Sequence, residues 1–175
     1  MVKKIVTGIL CVLLSSSLYA RDDISESKSF IGIEVGAATI EADVLFDALG
    51  DNYEGSGVEF GIRLGAQNQQ WRTLIALNYY DNTDDDQEYF KGIVTFDYLL
   101  IQDTPLQPYL GINVGYIDYT SDAMDDTGFL YGGQAGVLYS VTENIQMDVS
   151  YRYSIAETDN VNHVGGIIVG LNYIF

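Results

Sequence analysis

Residues 58–66 read Val-Glu-Phe-Gly-Ile-Arg-Leu-Gly-Ala, and this stretch decides the fold. Val58, Phe60, Ile62, Leu64 and Ala66 are apolar, while Glu59, Gly61, Arg63 and Gly65 between them are charged or small. Successive side chains of an extended chain point to opposite faces, so a strict period of two describes a strand with two unlike faces. The same period returns along the chain. Trp71, Thr73, Ile75, Leu77 and Tyr79 alternate with Arg72, Ala76 and Asn78. Phe90, Val94, Phe96, Tyr98 and Leu100 oppose Lys91, Thr95 and Asp97, and Leu110, Ile112, Val114 and Tyr116 oppose Gly111, Asn113 and Gly115. Ile145 to Tyr153 and Ile167 to Phe175 repeat it. With strands near 29–40 and 128–140 the pattern predicts about eight. Each is long enough to cross a bilayer at a tilt, which takes ~9–11 residues.

The connections alternate in length. Segments 67–70, 102–106 and 141–144 are short, whereas 41–55, 81–87, 119–127 and 155–162 are longer and polar. Short turns at one end and long loops at the other are expected of an all-β, antiparallel up-and-down transmembrane barrel. The long loops would face outward.

Alternation alone does not say which face is inside. A soluble lipocalin-like barrel turns its apolar face inward around a ligand, and a membrane barrel turns it to lipid. Glycine decides. Gly32 and Gly36, then Gly57, Gly61 and Gly65, then Gly111 and Gly115, then Gly128, Gly132 and Gly136, and finally Gly166 and Gly170 recur four apart on the polar face. Inside a narrow barrel such glycines make room for long side chains from other strands. Charge agrees. Glu34, Glu59, Arg63, Arg72, Lys91, Asp97, Asp148 and Arg152 all fall on the polar face, four acids against four bases. A lumen filled with charge has to be paired, because an unpaired buried charge is costly.

The N-terminus is a predicted export signal. Lys3 and Lys4 precede the apolar run Ile5–Leu14, and Ser15–Ala20 is small and polar, with a cut expected after Ala20. Leu10 stands where a lipoprotein signal needs a small residue before Cys11. The predicted organisation is a signal peptide over 1–20, a short periplasmic segment over 21–28 and a barrel over 29–175. The whole chain carries a formal net charge of −17; without residues 1–20, six bases face 25 acids, a net of −19. So acidic a chain repels nucleic acid.

At its end the chain reads Leu171-x-Tyr173-x-Phe175. With the strand count and loop alternation, this ending resembles the small outer-membrane barrels of the OmpA/OmpX and opacity-protein kind over residues 29–175. The resemblance implies that barrel-assembly machinery reads the terminal aromatic pattern, and that the barrel sits among outer-membrane lipid and lipopolysaccharide.

Three features carry candidate chemistry. Sixteen acids lie in or beside the expected outer loops: Glu41, Asp43, Asp47, Asp51, Glu54, Asp81, Asp84, Asp85, Asp86, Glu88, Asp118, Asp122, Asp125, Asp126, Glu157 and Asp159. Carboxylates capture hard cations, and ions could bridge these loops to lipopolysaccharide phosphates. No EF-hand spacing is present, so the loops read as a solvated, self-repelling rim and a surface for an extracellular ligand. No metal site and no cofactor is assigned. His163 is the only histidine. Some eight-stranded barrels that modify lipid A place a histidine and a serine near the rim, but here the nearest serine, Ser154, lies across a loop. The outward aromatics Trp71, Tyr98, Tyr139, Tyr173 and Phe175 at one end, and Tyr79, Phe90, Tyr116, Phe129, Tyr131 and Tyr151 at the other, read as interface girdles.

The expected role is structural or surface-interacting, with a charged, plugged lumen and no catalysis. The alternatives are a narrow channel for small solutes or ions, a lipid A-modifying enzyme using His163, and a soluble periplasmic lipocalin-like binder.

Overall fold

A computed structural model describes residues 27–42, 53–82, 87–121, 124–157 and 161–175. The signal peptide, residues 21–26 and the loop acids Asp43, Asp47, Asp51, Asp84, Asp85, Asp86, Asp122 and Asp159 lie outside the described residues.

Eight strands follow one another: β1 (Lys28–Ala42), β2 (Tyr53–Gln67), β3 (Trp71–Asn82), β4 (Gln87–Leu99), β5 (Leu106–Ser121), β6 (Met124–Ser140), β7 (Ile145–Glu157) and β8 (Val161–Ile174). Each pairs antiparallel with its neighbour in sequence, and β8 returns to pair with β1, which closes the sheet into a barrel. Closure leaves no unpaired edge, as a spanning sheet requires. The two-residue period produces this directly. Along β7 exposed and buried residues alternate without a break.

The turns at one end are held by side chains. Asn68 Oδ1 accepts from the backbone N–H groups of Gln70 at 2.8 Å and Trp71 at 2.7 Å, an Asx turn. Thr142 Oγ1 does the same for Asn144 at 3.3 Å and Ile145 at 3.0 Å. Asp103, in the connection between β4 and β5, takes a φ of 59°, which Asp tolerates better than most residues. The Phe175 N–H donates to Ser29 O at 2.9 Å, tying the last residue to the first strand.

At the other end the strands run further than expected. Asn82 pairs with Gln87, and Ser121 with Met124, so residues 81, 82 and 87 of the first segment and 119–121 and 124–127 of the second are ladder and not loop. Glu41, Glu54, Asp81, Glu88, Asp118, Asp125, Asp126 and Glu157 all lie on strand ends. The reason is physical. Beyond the bilayer both faces of a strand are wet, so the alternation disappears while the backbone pairing persists.

The interior differs from the expected one in a second way. It is not polar throughout. Toward the loop end Tyr80, Tyr89, Ile93, Ile117, Tyr119, Leu130, Ala156 and Val164 pack together. Toward the termini, Phe30, Leu74, Ala76 and Ile174 form one apolar cluster and Leu99, Tyr109 and Leu138 another. The charges interleave with these clusters: on β3 Arg72 stands nearer the turn than Leu74 and Ala76, and Glu59 pairs across the ladder with Tyr80.

Candidate functional site

All eight strands contribute buried polar side chains to the lumen. Glu34 stands on β1, Glu59 and Arg63 on β2, Arg72 on β3, Lys91 and Asp97 on β4, and Asp148 and Arg152 on β7. The structure turns every one of these inward, and each is only 0–4 % exposed.

Six of them join in one chain. Asp148 Oδ2 accepts from Arg63 Nη1 and from Arg72 Nη1, each at 2.9 Å. Arg72 Nε donates to Asp97 Oδ2 at 2.8 Å. Glu34 bridges Arg63 and Arg152, at 3.4 Å to each. Gln134 on β6 then closes the circuit, because its Nε2 donates to Asp97 Oδ1 at 2.6 Å and its Oε1 accepts from Arg152 Nε at 2.9 Å. The result is a ring of charge-assisted hydrogen bonds around the lumen. Lys91 and Glu59 form a separate pair nearer the loop end, at 2.6 Å, where Tyr89 also donates to Glu59 at 2.5 Å.

Neutral residues complete the ring. Asn172 on β8 accepts from Arg63 Nε at 2.6 Å, Asn78 on β3 donates to Glu34 at 2.6 Å, and Tyr109 on β5 donates to Asp148 Oδ1 at 2.9 Å. The Arg72 guanidinium lies 4.3 Å from the centre of the Tyr109 ring, a cation–π contact. Charge counting could not find Gln134, Asn172, Asn78, Tyr109 and Tyr89. Their inward parity was the available signal.

Arg63 and Arg72 reach Asp148 from unequal heights. Counting from the turn puts them level, yet the register pairs Arg72 with Gln67, four residues from Arg63. Long, flexible guanidinium side chains make up the difference. Glycine makes the space. Gly170 sits opposite both Glu34 and Asp148, and a Cβ there would collide with the Arg63 guanidinium. Gly111 stands in the same relation to Asp97.

His163 and Ser154 do not meet. Ser154 faces the lumen, buried, and its Oγ donates to Asn113 Oδ1 at 2.8 Å. The His163 ring packs on the outer face, 5.1 Å from the ring of Tyr153, which is exposed. The barrel wall stands between base and hydroxyl, which removes this pair as a catalytic dyad.

Leu171, Tyr173 and Phe175 all face outward and are exposed. The girdle aromatics do likewise. Trp71 packs against Phe96 and Tyr98, with ring centres 5.1 and 4.8 Å apart, and Tyr116 meets Phe129 edge-on at 5.6 Å.

Comparison with known proteins agrees with this architecture. A family model described as the outer membrane protein beta-barrel domain matches residues 8–175. No curated protein sequence matches the chain. Among solved structures, Neisserial surface protein A is similar with a TM-score of 0.67 and 21% identity, covering 84% of this chain and 97% of that one. OprG of Pseudomonas aeruginosa is similar with a TM-score of 0.54 and 16% identity, covering 88% and 99%. Ail, the attachment invasion locus protein of Yersinia pestis, solved with the heparin analogue sucrose octasulfate, has a TM-score of 0.53 and 20% identity, covering 86% and 99%. At such identities the likeness is one of fold, and function has to be argued from the site.

Proposed function

Because this chain belongs to the outer membrane protein beta-barrel domain family, we propose that it is a closed, non-conducting barrel of the Gram-negative outer membrane with a structural and surface-interaction role. The observation that carries this reading is the burial of all eight lumen charges in ion pairs, six in one bonded ring and two in a separate pair, with apolar clusters packed among them. An ion entering would have to displace a paired charge and pass apolar side chains, each unfavourable to it.

In this reading residues 1–20 direct export, Leu171, Tyr173 and Phe175 present the chain to the assembly machinery, and the outer face meets lipid and lipopolysaccharide. The acidic outer end is the interaction surface. Its charge opposes a sulfated ligand of the kind solved with Ail and favours a basic or cation-bridged partner. His163 and Ser154 on opposite faces argue against lipid A chemistry by that pair.

One observation favours a narrow channel instead. Arg63 Nη2, Asn78 Oδ1 and Asn172 Nδ2 are buried without a hydrogen-bond partner, and such atoms usually bond water. A hydrated interior is one step nearer to conduction. Planar-bilayer recording of the refolded protein separates the two readings: silence supports the plug, and steady unit currents support the channel.

A further inference from the structure

A groove of about 480 Å³ lies on the outer wall where β8, β1 and β2 run side by side, at the seam that closes the barrel. Ile31 and Ile33 of β1, Ile62 and Leu64 of β2, and Leu171 and Tyr173 of β8 line it. All six point outward and are exposed. Arg63 and Asn172 turn their side chains into the lumen, so only their backbone, with that of Gly32, forms the base. The groove's surface is almost wholly apolar.

We propose that this groove holds one acyl chain of a phospholipid from the leaflet at the terminus end of the barrel. A polar occupant would give up water and gain no hydrogen bond. The groove is continuous with the lipid-facing band, so it fills from the bilayer and not from water. Tyr173 marks the mouth, since tyrosine rings settle at headgroup level. A second copy of the barrel is a poor occupant. Its wall is a convex cylinder, and two cylinders touch along a line, short of the roughly 1,200 Å² of a stable interface. The hydrophobic effect does not select a chain here, because bilayer and groove are equally apolar. Packing does, since a void against lipid forfeits dispersion contacts that a fitted chain makes. Leu171 and Tyr173 thereby acquire a second use: the terminal pattern that resembles an assembly signal builds a lipid site once β8 meets β1.

The test is native mass spectrometry of the refolded barrel. It is released by mild detergent from vesicles of phosphatidylethanolamine and phosphatidylglycerol. Wild type should keep one phospholipid per barrel, and a single-chain lysophospholipid should replace it. Ile62→Trp, which fills the groove, should lower retention several-fold. Ile112→Trp, equally lipid-facing but on β5, should leave it unchanged. Ile33→Ala, which removes a wall without adding bulk, should also lower it and serves if Ile62→Trp does not fold. Equal retention in wild type and the groove variants, or none in wild type, overturns the proposal. So does a dimer that Ile62→Trp abolishes, which would give the groove to a second copy. The readout does not depend on whether the lumen conducts.

Discussion

Arg63 on β2 reaches Asp148 on β7 across the lumen, three strands away around the wall, with Nη1 2.9 Å from Oδ2. The same oxygen accepts from Arg72 at 2.9 Å. One carboxylate therefore separates two guanidinium groups that would otherwise repel. Asp148→Ala leaves two arginines facing each other in a buried layer. Losing one partner of a buried pair costs about 3–5 kcal/mol, and hydration of the lumen would reduce that. Urea unfolding in vesicles should give a loss at the upper end of that range for Asp148→Ala. The Asp148→Ala/Arg63→Ala double variant should lose less than the two single losses added together. Simple additivity would mean the pair is hydrated and contributes little.

The lipid face gives a second prediction. Val114 and Leu77 point outward and are exposed. Arg at either should cost ~2–4 kcal/mol, the penalty for a base near the bilayer midplane. From sequence, the inward neighbours Asn113 and Asn78 read as sites tolerant of polar change. The structure revises this for Asn78, which is fully buried and donates to Glu34 at 2.6 Å. Asn78→Asp sets a second carboxylate against Glu34 and should destabilise more than Asn113→Ser, which removes only neutral hydrogen bonds, the buried one to Ser154 among them. Equal sensitivity to Arg at both parities would contradict the assigned faces.

Space inside the ring gives a third. Gly170→Ala sets a methyl against the Arg63 guanidinium, and overpacking of this kind costs ~1–3 kcal/mol. Gly92→Ala, whose Cβ would meet only Leu77 at an ordinary 3.5 Å, should be close to neutral. Urea midpoints of the two variants decide it. If Gly170→Ala is the more stable of the two, the packing argument fails.

A fourth concerns assembly. The Phe175 side chain is exposed, and its backbone N–H holds Ser29. Deleting Phe175 should slow insertion in cells more than it lowers folded stability. Normal assembly rates without it would remove the terminal residue from the recognition pattern.

The strands and their faces were legible because one physical rule, the two-residue period, governs both. That rule put Glu59 and Arg63 on one side of β2 and Phe60 and Ile62 on the other, as observed. The strand ends were not legible. Asp81 and Glu88 sit in a polar stretch that reads as loop, yet they pair across a ladder, and backbone pairing leaves no trace in composition. The inward apolar clusters were missed for a related reason. Leu74, Ile93 and Leu99 occupy inward positions in strands whose outward positions are also apolar, so the alternation fades there. Cross-lumen partners such as Asp148 for Arg63 depend on register and stagger, which no single segment encodes.

The central claim is a closed lumen, and planar-bilayer conductance tests it most directly when wild type is recorded beside Arg152→Ala and Arg63→Ala. Arg152 joins Glu34 to Gln134, so its loss opens the bonded ring at one point. The account predicts silent wild-type bilayers, with intermittent currents or a lower urea midpoint in the variants. Steady wild-type conductance, with both variants as stable as the parent, would contradict it and make the barrel a narrow channel.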